Sequence, residues 1–170
     1  MPTVTVTRTY LRLPSRDAAR PRRAGDQRLT LERLAPCPAP LYRTLYRDVG
    51  RDWHWLDREA WSDERLATHL GGSGVSVHVL RVGDEVAGYF ELVRHERGDV
   101  EIAYFGLVPR FVGRGLGAHL LSEAIDAAFA LDATEVWLHT CTLDHPAALA
   151  NYRARGFEPF RVETYEASLP

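Results

Sequence analysis

At 170 residues the chain has the length of one ordinary domain, long enough to bury a core and too short for two independent ones. Apolar residues make up 45% and the formal net charge is −2, the composition of a soluble globular protein with no whole-molecule basic field to hold nucleic acid or an anionic membrane. All 21 basic residues are arginine, which excludes Schiff-base chemistry and the phosphate-loop NTPases, both of which need a lysine amine.

Thr3 to Leu13 alternates Thr and Arg with Val, Tyr and Leu, the period of a half-buried strand, and has no clear partner in the sequence. The opening MPTVTVTRTY lacks the continuous apolar segment of a signal peptide, and no later run approaches the ~20 apolar residues of a membrane span, so the expected location is the cytoplasm. In that compartment Cys37 and Cys141 are expected to be reduced thiols rather than a bridge. Ser15 to Gln27, rich in Arg, Ala and Pro, reads as a loop whose RPRR is a solvated turn. Arg28 to Leu34 alternates again, and Pro38 and Pro40 introduce a helix through about Asp48. A second short helix starts after Ser62, with Asp63 and Glu64 in its first turn, and stops at Gly71-Gly72.

From Val75 the pattern changes to strands. VSVHVLR, VAGYFELVRHE and VEIAYFGLV are separated by turns at Gly83-Asp84 and Gly98-Asp99, connections short enough to imply an antiparallel meander. Leu116 to Leu131 carries apolar side chains at 116, 120, 121, 124, 128 and 131, with His119, Ser122, Glu123 and Asp126 on the opposite, polar face of an amphipathic helix. A strand over Thr134 to Cys141, a helix from near Pro146 that Gly156 terminates, and a strand over Phe157 to Tyr165 complete the chain.

The joint between the meander and its helix is RFVGRGLGAHLL, Arg110 to Leu121. A strand that runs into a glycine-rich turn and then a helix aims unpaired backbone N–H groups at one spot, where the helix dipole adds positive charge and a phosphate can sit. Gly113, Gly115 and Gly117 let the backbone approach the anion, and Arg110 and Arg114 can add charge-assisted hydrogen bonds. Gly113-x-Gly115-x-x-Ala118 could also pass for a dinucleotide fingerprint. That motif belongs after the first strand of a parallel βαβ series and needs a carboxylate about 20 residues on, whereas here it follows an antiparallel meander and the next strand ends in HTC.

Arg110-x-x-Gly113-x-Gly115 resembles the R/Q-x-x-G-x-G/A signature of the GNAT superfamily of acyl-CoA-dependent N-acetyltransferases, and HPAALANYRARGF, His145 to Phe157, is similar to that family's second motif. The resemblance runs from about Val75 to Phe160 and is faint before it. It implies an α/β (α+β) fold with a mixed, mostly antiparallel central sheet flanked by helices, here with an additional N-terminal strand. The expected organisation is a single domain over 1–170: N-terminal strand and loop 1–27, acceptor-side helices 28–74 and CoA-binding core 75–167. It implies acetyl-CoA as co-substrate, no metal, and an amine acceptor, small molecule or peptide. The cofactor-binding set it implies is Phe105, Gly106, Leu107, Val108, Arg110, Val112, Gly113, Arg114, Gly115, Leu116, Gly117, Ala118, His145, Asn151 and Tyr152.

Transfer of an acyl group from a thioester to an amine needs a neutral amine, a polarised carbonyl and a proton for the leaving thiolate. Glu101 is the one charged residue in the otherwise apolar VEIAYFGLV, where desolvation would raise its pKa toward neutrality and suit it as general base. At a strand end it would instead be simply solvated. EIAYFGL also resembles the strand of the histone-acetyltransferase branch whose glutamate is the base. Tyr152 matches the tyrosine that family members use as general acid; from composition alone it would be a core residue of an amphipathic helix. Where the family often has Asn, this chain has His145, so a role carried by that Asn side chain is not implied for it, and before Pro146 it could simply cap the helix. Glu91 is a reserve candidate for base or acceptor contact, or a rim salt bridge. Trp53, His54, Trp55 and Trp61 either clamp an acceptor or fasten their loop to the core. His139, Cys141, Asp144 and His145 could suggest a Cys-His nucleophile or a zinc site, but no second ligand cluster has metal spacing. A non-catalytic acyl-CoA-binding sensor has the same sequence features as the enzyme. The N-terminal strand is expected to join the sheet or to pack at the interface of a homodimer.

Overall fold

The computed structural model of the protein describes residues 1–26 and 28–170. In chain order its elements are β1 (Thr3–Leu13), β2 (Leu29–Leu34), α1 (Ala39–Gly50), α2 (Asp63–Leu70), β3 (Val75–Val82), β4 (Glu85–Arg94), β5 (Val100–Leu107), α3 (Leu116–Phe129), β6 (Val136–Cys141), α4 (Ala148–Ala154) and β7 (Glu158–Ser168). The strands form one seven-stranded sheet in the order β2-β3-β4-β5-β6-β1-β7. Every neighbouring pair is antiparallel except β5 and β6.

The N-terminal strand does join the sheet, and it does so in the interior. β1 pairs with β6 through Arg8–Leu13 and with β7 through Thr3–Arg12, so it separates the last two strands of the chain. Its alternation is what makes this possible: Leu11 and Leu13 point into the core beneath α3 while Tyr10 and Arg12 point to the other face.

Two apolar layers cover the two faces. On one, Leu116, Leu120, Leu121, Ala124, Ile125 and Ala128 of α3 meet Leu80, Phe90, Leu92, Val100 and Ile102 from the meander and Leu138 from β6, with Tyr152 of α4 and Phe157 at the edge. On the other, α1 buries Tyr42, Leu45, Tyr46 and Val49, spaced as one helical face, and α2 buries Leu66 and Leu70, against Val75, Val77, Val79 and Tyr89. Ser62 caps α2 by accepting a hydrogen bond from the Arg65 N–H at 3.1 Å.

In the loop after β1, whose last residue, Gln27, lies outside the described residues, Arg20, Pro21, Arg22 and Arg23 are exposed as expected, but the loop is tied down rather than free. It crosses α3 as a strap: the Arg22 N–H donates to Ser122 Oγ at 2.9 Å, the Ala24 N–H donates to His119 Nδ1 at 3.1 Å, and Arg23 pairs with Glu123 and Asp126. His119 and Ser122, assigned by periodicity to a polar outer face, are therefore buried. A helical wheel marks a face as polar; it does not show that another segment will supply backbone partners for those polar groups.

Because Leu11 is completely buried between β6 and β7, Leu11→Ala should cost about 2–5 kcal/mol, read as a lowered midpoint in urea unfolding with unchanged slope. A cost below about 0.5 kcal/mol would contradict an interior place for β1.

Candidate active site

β5 and β6 are hydrogen-bonded neighbours only at Val100↔Val136 and Glu101↔Trp137. Beyond that point the strands diverge. The divergence coincides with a bulge, since Glu91 of β4 opposes Tyr104 and Leu92 opposes Ile102, leaving Ala103 without a partner. A bulge bends its strand and adds twist, here carrying the C-terminal half of β5 away from β6. From Ala103 to Val108 every residue is partly exposed, and the β6-facing backbone edge of β5 has no strand partner.

That edge leads into the glycine turn. After a 3₁₀ turn at Pro109–Phe111, Gly113 and Gly115 adopt φ of +85° and +76°, the left-handed region, and Gly115 is the N-cap of α3. No heavy atom lies within 4 Å of where a Cβ would stand on either glycine, so the turn opens directly to solvent. Among the described residues no acceptor pairs with the N–H of Gly113, Arg114 or Gly115, and no side chain caps α3. These donors, with those of the first helical turn at Leu116, Gly117 and Ala118, suit a diphosphate. Arg114 packs over the Phe111 ring at 5.1 Å, while Arg110 lies over the same ring at 5.0 Å and reaches Glu85 at 3.2 Å. Val112 is exposed beside them.

Tyr152 comes from α4 across the gap, its ring edge-on to Phe105 at 6.0 Å. Burial, then Asp144, pushes its phenol above the usual range, so it stays protonated. Its neighbour Asn151 donates to the Gly117 carbonyl at 3.1 Å and ties α4 to the start of α3. His145 accepts at Nδ1 from the Ala147 N–H at 3.0 Å, the helix-entry role open to it in the sequence, and its ring meets Trp53 at 5.0 Å.

Glu101 occupies the last paired position before the strands part. It is not isolated among apolar groups: His95, in the β4–β5 turn, approaches Glu101 Oε1 at 3.0 Å through Nε2, and the His95 ring stacks on Trp137 at 5.7 Å. Trp137 in turn donates to Asp99 at 2.7 Å. Sequence reasoning missed His95, which has no motif of its own and reaches Glu101 only because the turn folds back. The Cys-His nucleophile that the sequence could suggest does not assemble: among the described residues Cys141 makes no hydrogen bond to His139 or His145. The Asp144 carboxylate accepts from Thr140 Oγ1 at 2.5 Å and the Cys141 N–H at 2.9 Å, and burial, with Asp144, pushes the Cys141 thiol up. Among the described residues no cluster of His, Cys, Asp and Glu has metal-binding geometry.

The tryptophan loop divides its labour. Trp55 packs against Tyr46, Tyr89 and Tyr104 at 5.0 to 6.3 Å and against the bare faces of Gly50 and Gly106, fixing the loop to the sheet. Trp53 extends over the gap to His145, and His54 takes the left-handed φ of 57° that turns the chain between them. Trp61 lies under the guanidinium groups of Arg58 and Arg65 at 4.6 and 4.0 Å.

Glu91 is fully buried rather than on a rim. Arg58 reaches both its oxygens at 2.6 and 3.0 Å, Tyr42 donates at 2.6 Å, and His69 approaches at 2.9 Å. Burial pushes the carboxyl pKa up, but the hydrogen bond from His69 and the charge and hydrogen bonds of Arg58 outweigh it, and the net shift is downward. Glu91 thus anchors the tryptophan loop, through Arg58, to the underside of β4. A folded-state pKa held below the ordinary value contributes stability that is present above about pH 4.5 and lost as pH falls through the lowered value. Glu91→Gln leaves Arg58 buried without its counter-charge and should cost about 3–5 kcal/mol at pH 7, with a smaller cost at pH 3, measured by urea unfolding at both pH values. An equal cost at both would show that the carboxylate charge is not what holds Arg58.

A family model described as the acetyltransferase (GNAT) family matches residues 42–157. Among curated proteins, the mycothiol acetyltransferase of Nocardia farcinica is 39% identical over 88 residues, 51% of this chain and 27% of that protein. The mycothiol acetyltransferase of a Nocardioides species is 49% identical over 53 residues, 31% of this chain and 17% of that protein. The chain therefore matches 27% or less of the length of either relative. Among solved structures, a GCN5-related N-acetyltransferase from Sphaerobacter thermophilus superposes with a TM-score of 0.71 at 16% identity, over 96% of this chain and 51% of that one. An aminoglycoside acetyltransferase from a soil metagenome gives 0.62 at 19% identity, over 76% of this chain and 88% of that one. The latter two likenesses bear on the fold, which is the one seen here. With the family model spanning both the glycine turn and the Tyr152 helix, the chain belongs to the GNAT acetyltransferase family.

Proposed function

We propose that the protein transfers an acetyl group from acetyl-CoA to a primary amine by direct attack, with no covalent intermediate on the enzyme. The observation that carries this reading is the gap between β5 and β6: an unpaired strand edge leads straight to a turn whose N–H groups are free. A pantetheine arm can add to that edge as a strand would, and the turn can hold the diphosphate at its far end. Donor N–H groups along Phe105–Leu107 are then in place to polarise the thioester carbonyl.

The two proton-handling residues stand on opposite faces of the sheet. Glu101, on the α1–α2 face with its orientation fixed by His95, takes a proton from the acceptor ammonium, directly or through water. Tyr152, on the α3 face and kept protonated by burial, supplies the proton for the leaving thiolate. Trp53 and His54 lie where the acceptor would enter, whereas Glu91 acts from beneath by holding the loop.

Calorimetry should show acetyl-CoA binding, and an amine panel followed by free-thiol release should show turnover. Glu101→Gln and Tyr152→Phe should each lower kcat by about 10²–10⁴-fold while leaving acetyl-CoA affinity within twofold. Binding without turnover of any amine would favour a non-catalytic acyl-CoA sensor, and absence of binding would end the reading altogether.

A further inference from the structure

Acyl transfer to an ammonium removes two protons from one nitrogen. The first must leave before the lone pair is available; the second leaves after the carbon–nitrogen bond forms, when the nitrogen of the tetrahedral adduct is again cationic. Glu101 offers one carboxylate, already engaged on one side by His95. The residue next along the same face of β6 from Trp137, and so the first to overlook the open gap, is His139.

His139 has the attributes of a working proton acceptor. Its side chain reaches solvent in the wall of the gap while the surrounding strands and turns partly desolvate the ring, and its flanking residues Leu138 and Thr140 are buried on the other face. Tyr10, its partner in β1, sets its ring against the imidazole at 5.3 Å and fixes one side of it. Among the described residues neither ring nitrogen has a hydrogen-bond partner, in contrast to His69, His78, His95, His119 and His145. The charged groups around it come from every neighbouring element: Arg8 from β1, Glu101 from β5, Asp144 from the β6–α4 turn and Asp57 from the tryptophan loop. Arg8 is itself matched by Glu163 of β7 at 3.2 Å. Burial, then Arg8, lowers the imidazole pKa, while Glu101, Asp144 and Asp57 oppose that shift. The net shift is downward, which leaves the imidazole neutral at pH 7, and the charges of the three carboxylates favour the imidazolium once it forms.

We propose that His139 is a second catalytic base, which removes the proton left on the acceptor nitrogen after Glu101 has taken the first. This rests on the reading of the protein as an amine acetyltransferase. The ammonium gives one proton to Glu101, and the freed lone pair attacks the thioester carbon. The nitrogen of the adduct then gives its second proton to a ring nitrogen of His139. The carbon–sulfur bond breaks, and the thiolate takes the Tyr152 proton. Of the two protons removed from nitrogen, one restores Tyr152 through solvent and the other is released, so a neutral amide, a free thiol and one proton are the products.

The test has two arms. In the first, wild-type protein, His139→Gln and His139→Asn are assayed by thiol release with acetyl-CoA and a panel of spermidine, glucosamine, kanamycin, tyramine and a lysyl peptide. Each variant should bind acetyl-CoA as wild type does and lose about 10²-fold in kcat at pH 7. Each should also lose from the pH–rate profile one acidic limb lying below pH 6.5. Wild-type kcat and an unchanged profile in both variants would overturn the proposal. In the second arm, the histidine ring signals of the whole protein are titrated by NMR, with His139→Gln identifying the resonance. The His139 ring should titrate below 6.5, and lower still in Glu101→Gln, because Glu101 pushes it up. A ring that titrates at its ordinary value and does not respond to Glu101→Gln would overturn the proposal even if no acceptor were found. Acetyl-CoA binding without turnover of any amine would instead count against the enzymatic reading.

Discussion

The structure turns on a parallel strand pair that is abandoned almost as soon as it begins. β5 and β6 share two register pairs, at Val100 and Glu101, and then separate. Parallel strands are joined by long crossovers, here through α3, so nothing local forces their full lengths to stay together. The Ala103 bulge and the diverging strand leave backbone donors and acceptors unpaired in a partly exposed cleft. Such groups go unsatisfied only where water or a ligand can reach them. The gap is thus both a defect in the sheet and the feature that gives the protein a place to bind an extended chain.

The order of the elements was legible in the sequence because each was signalled by short-range physics. The alternation in Thr3–Leu13 marked a strand, Ser62 marked the start of α2, and the three glycines around Arg114 marked a turn whose backbone must be bare. What escaped was set by partners far away in sequence. His119 and Ser122 look like solvent-facing helix residues until the strap beneath Ala24 and Arg22 covers them. Glu91 could be read as a base because nothing near it in sequence announces that Arg58, 33 residues away, and Tyr42, 49 residues away, will reach it. Glu101 stood out as the charged residue of an apolar strand, but its pairing with His95 depends on how the β4–β5 turn folds back.

The buried Glu91–Arg58 pair explains why the tryptophan loop can be both long and ordered. A buried ion pair is weak as a source of stability, since desolvation offsets most of the attraction, but it is strongly selective about geometry. Arg58 satisfies Glu91 only with its guanidinium also between Trp61 and Tyr104, at 4.6 and 4.7 Å from the two rings. Trp55, pressed onto Gly50 and Gly106, completes the constraint from the other end, because a side chain at either glycine would occupy the indole's space or that of Val49. The loop therefore arrives over the gap with Trp53 and Asp57 in fixed places, held by the buried Arg58 and Glu91 and by the partly buried Trp55 and Trp61.

A sheet is normally a barrier between its two faces, and here the groups that handle protons are on opposite sides of it. Phe105, Leu107 and Tyr152 belong to the layer under α3, whereas Tyr104 packs with the α1–α2 layer and Glu101 lies on that same face of β5. An intact β5–β6 ladder would keep a thiolate on one side from sharing a reaction with an amine on the other. Only where the ladder is missing can one carbonyl carbon be reached from both. This also accounts for the position of the bulge: by leaving Ala103 unpaired it keeps Ile102 and Phe105 on the α3 face and Glu101 and Tyr104 on the other, three residues apart in each case. Without the extra residue, strict alternation would place Tyr104 on the face of Ile102, under α3 and away from Tyr46 and Trp55. One inserted residue thus opens the gap and assigns the side chains along its rim to the side where each can act.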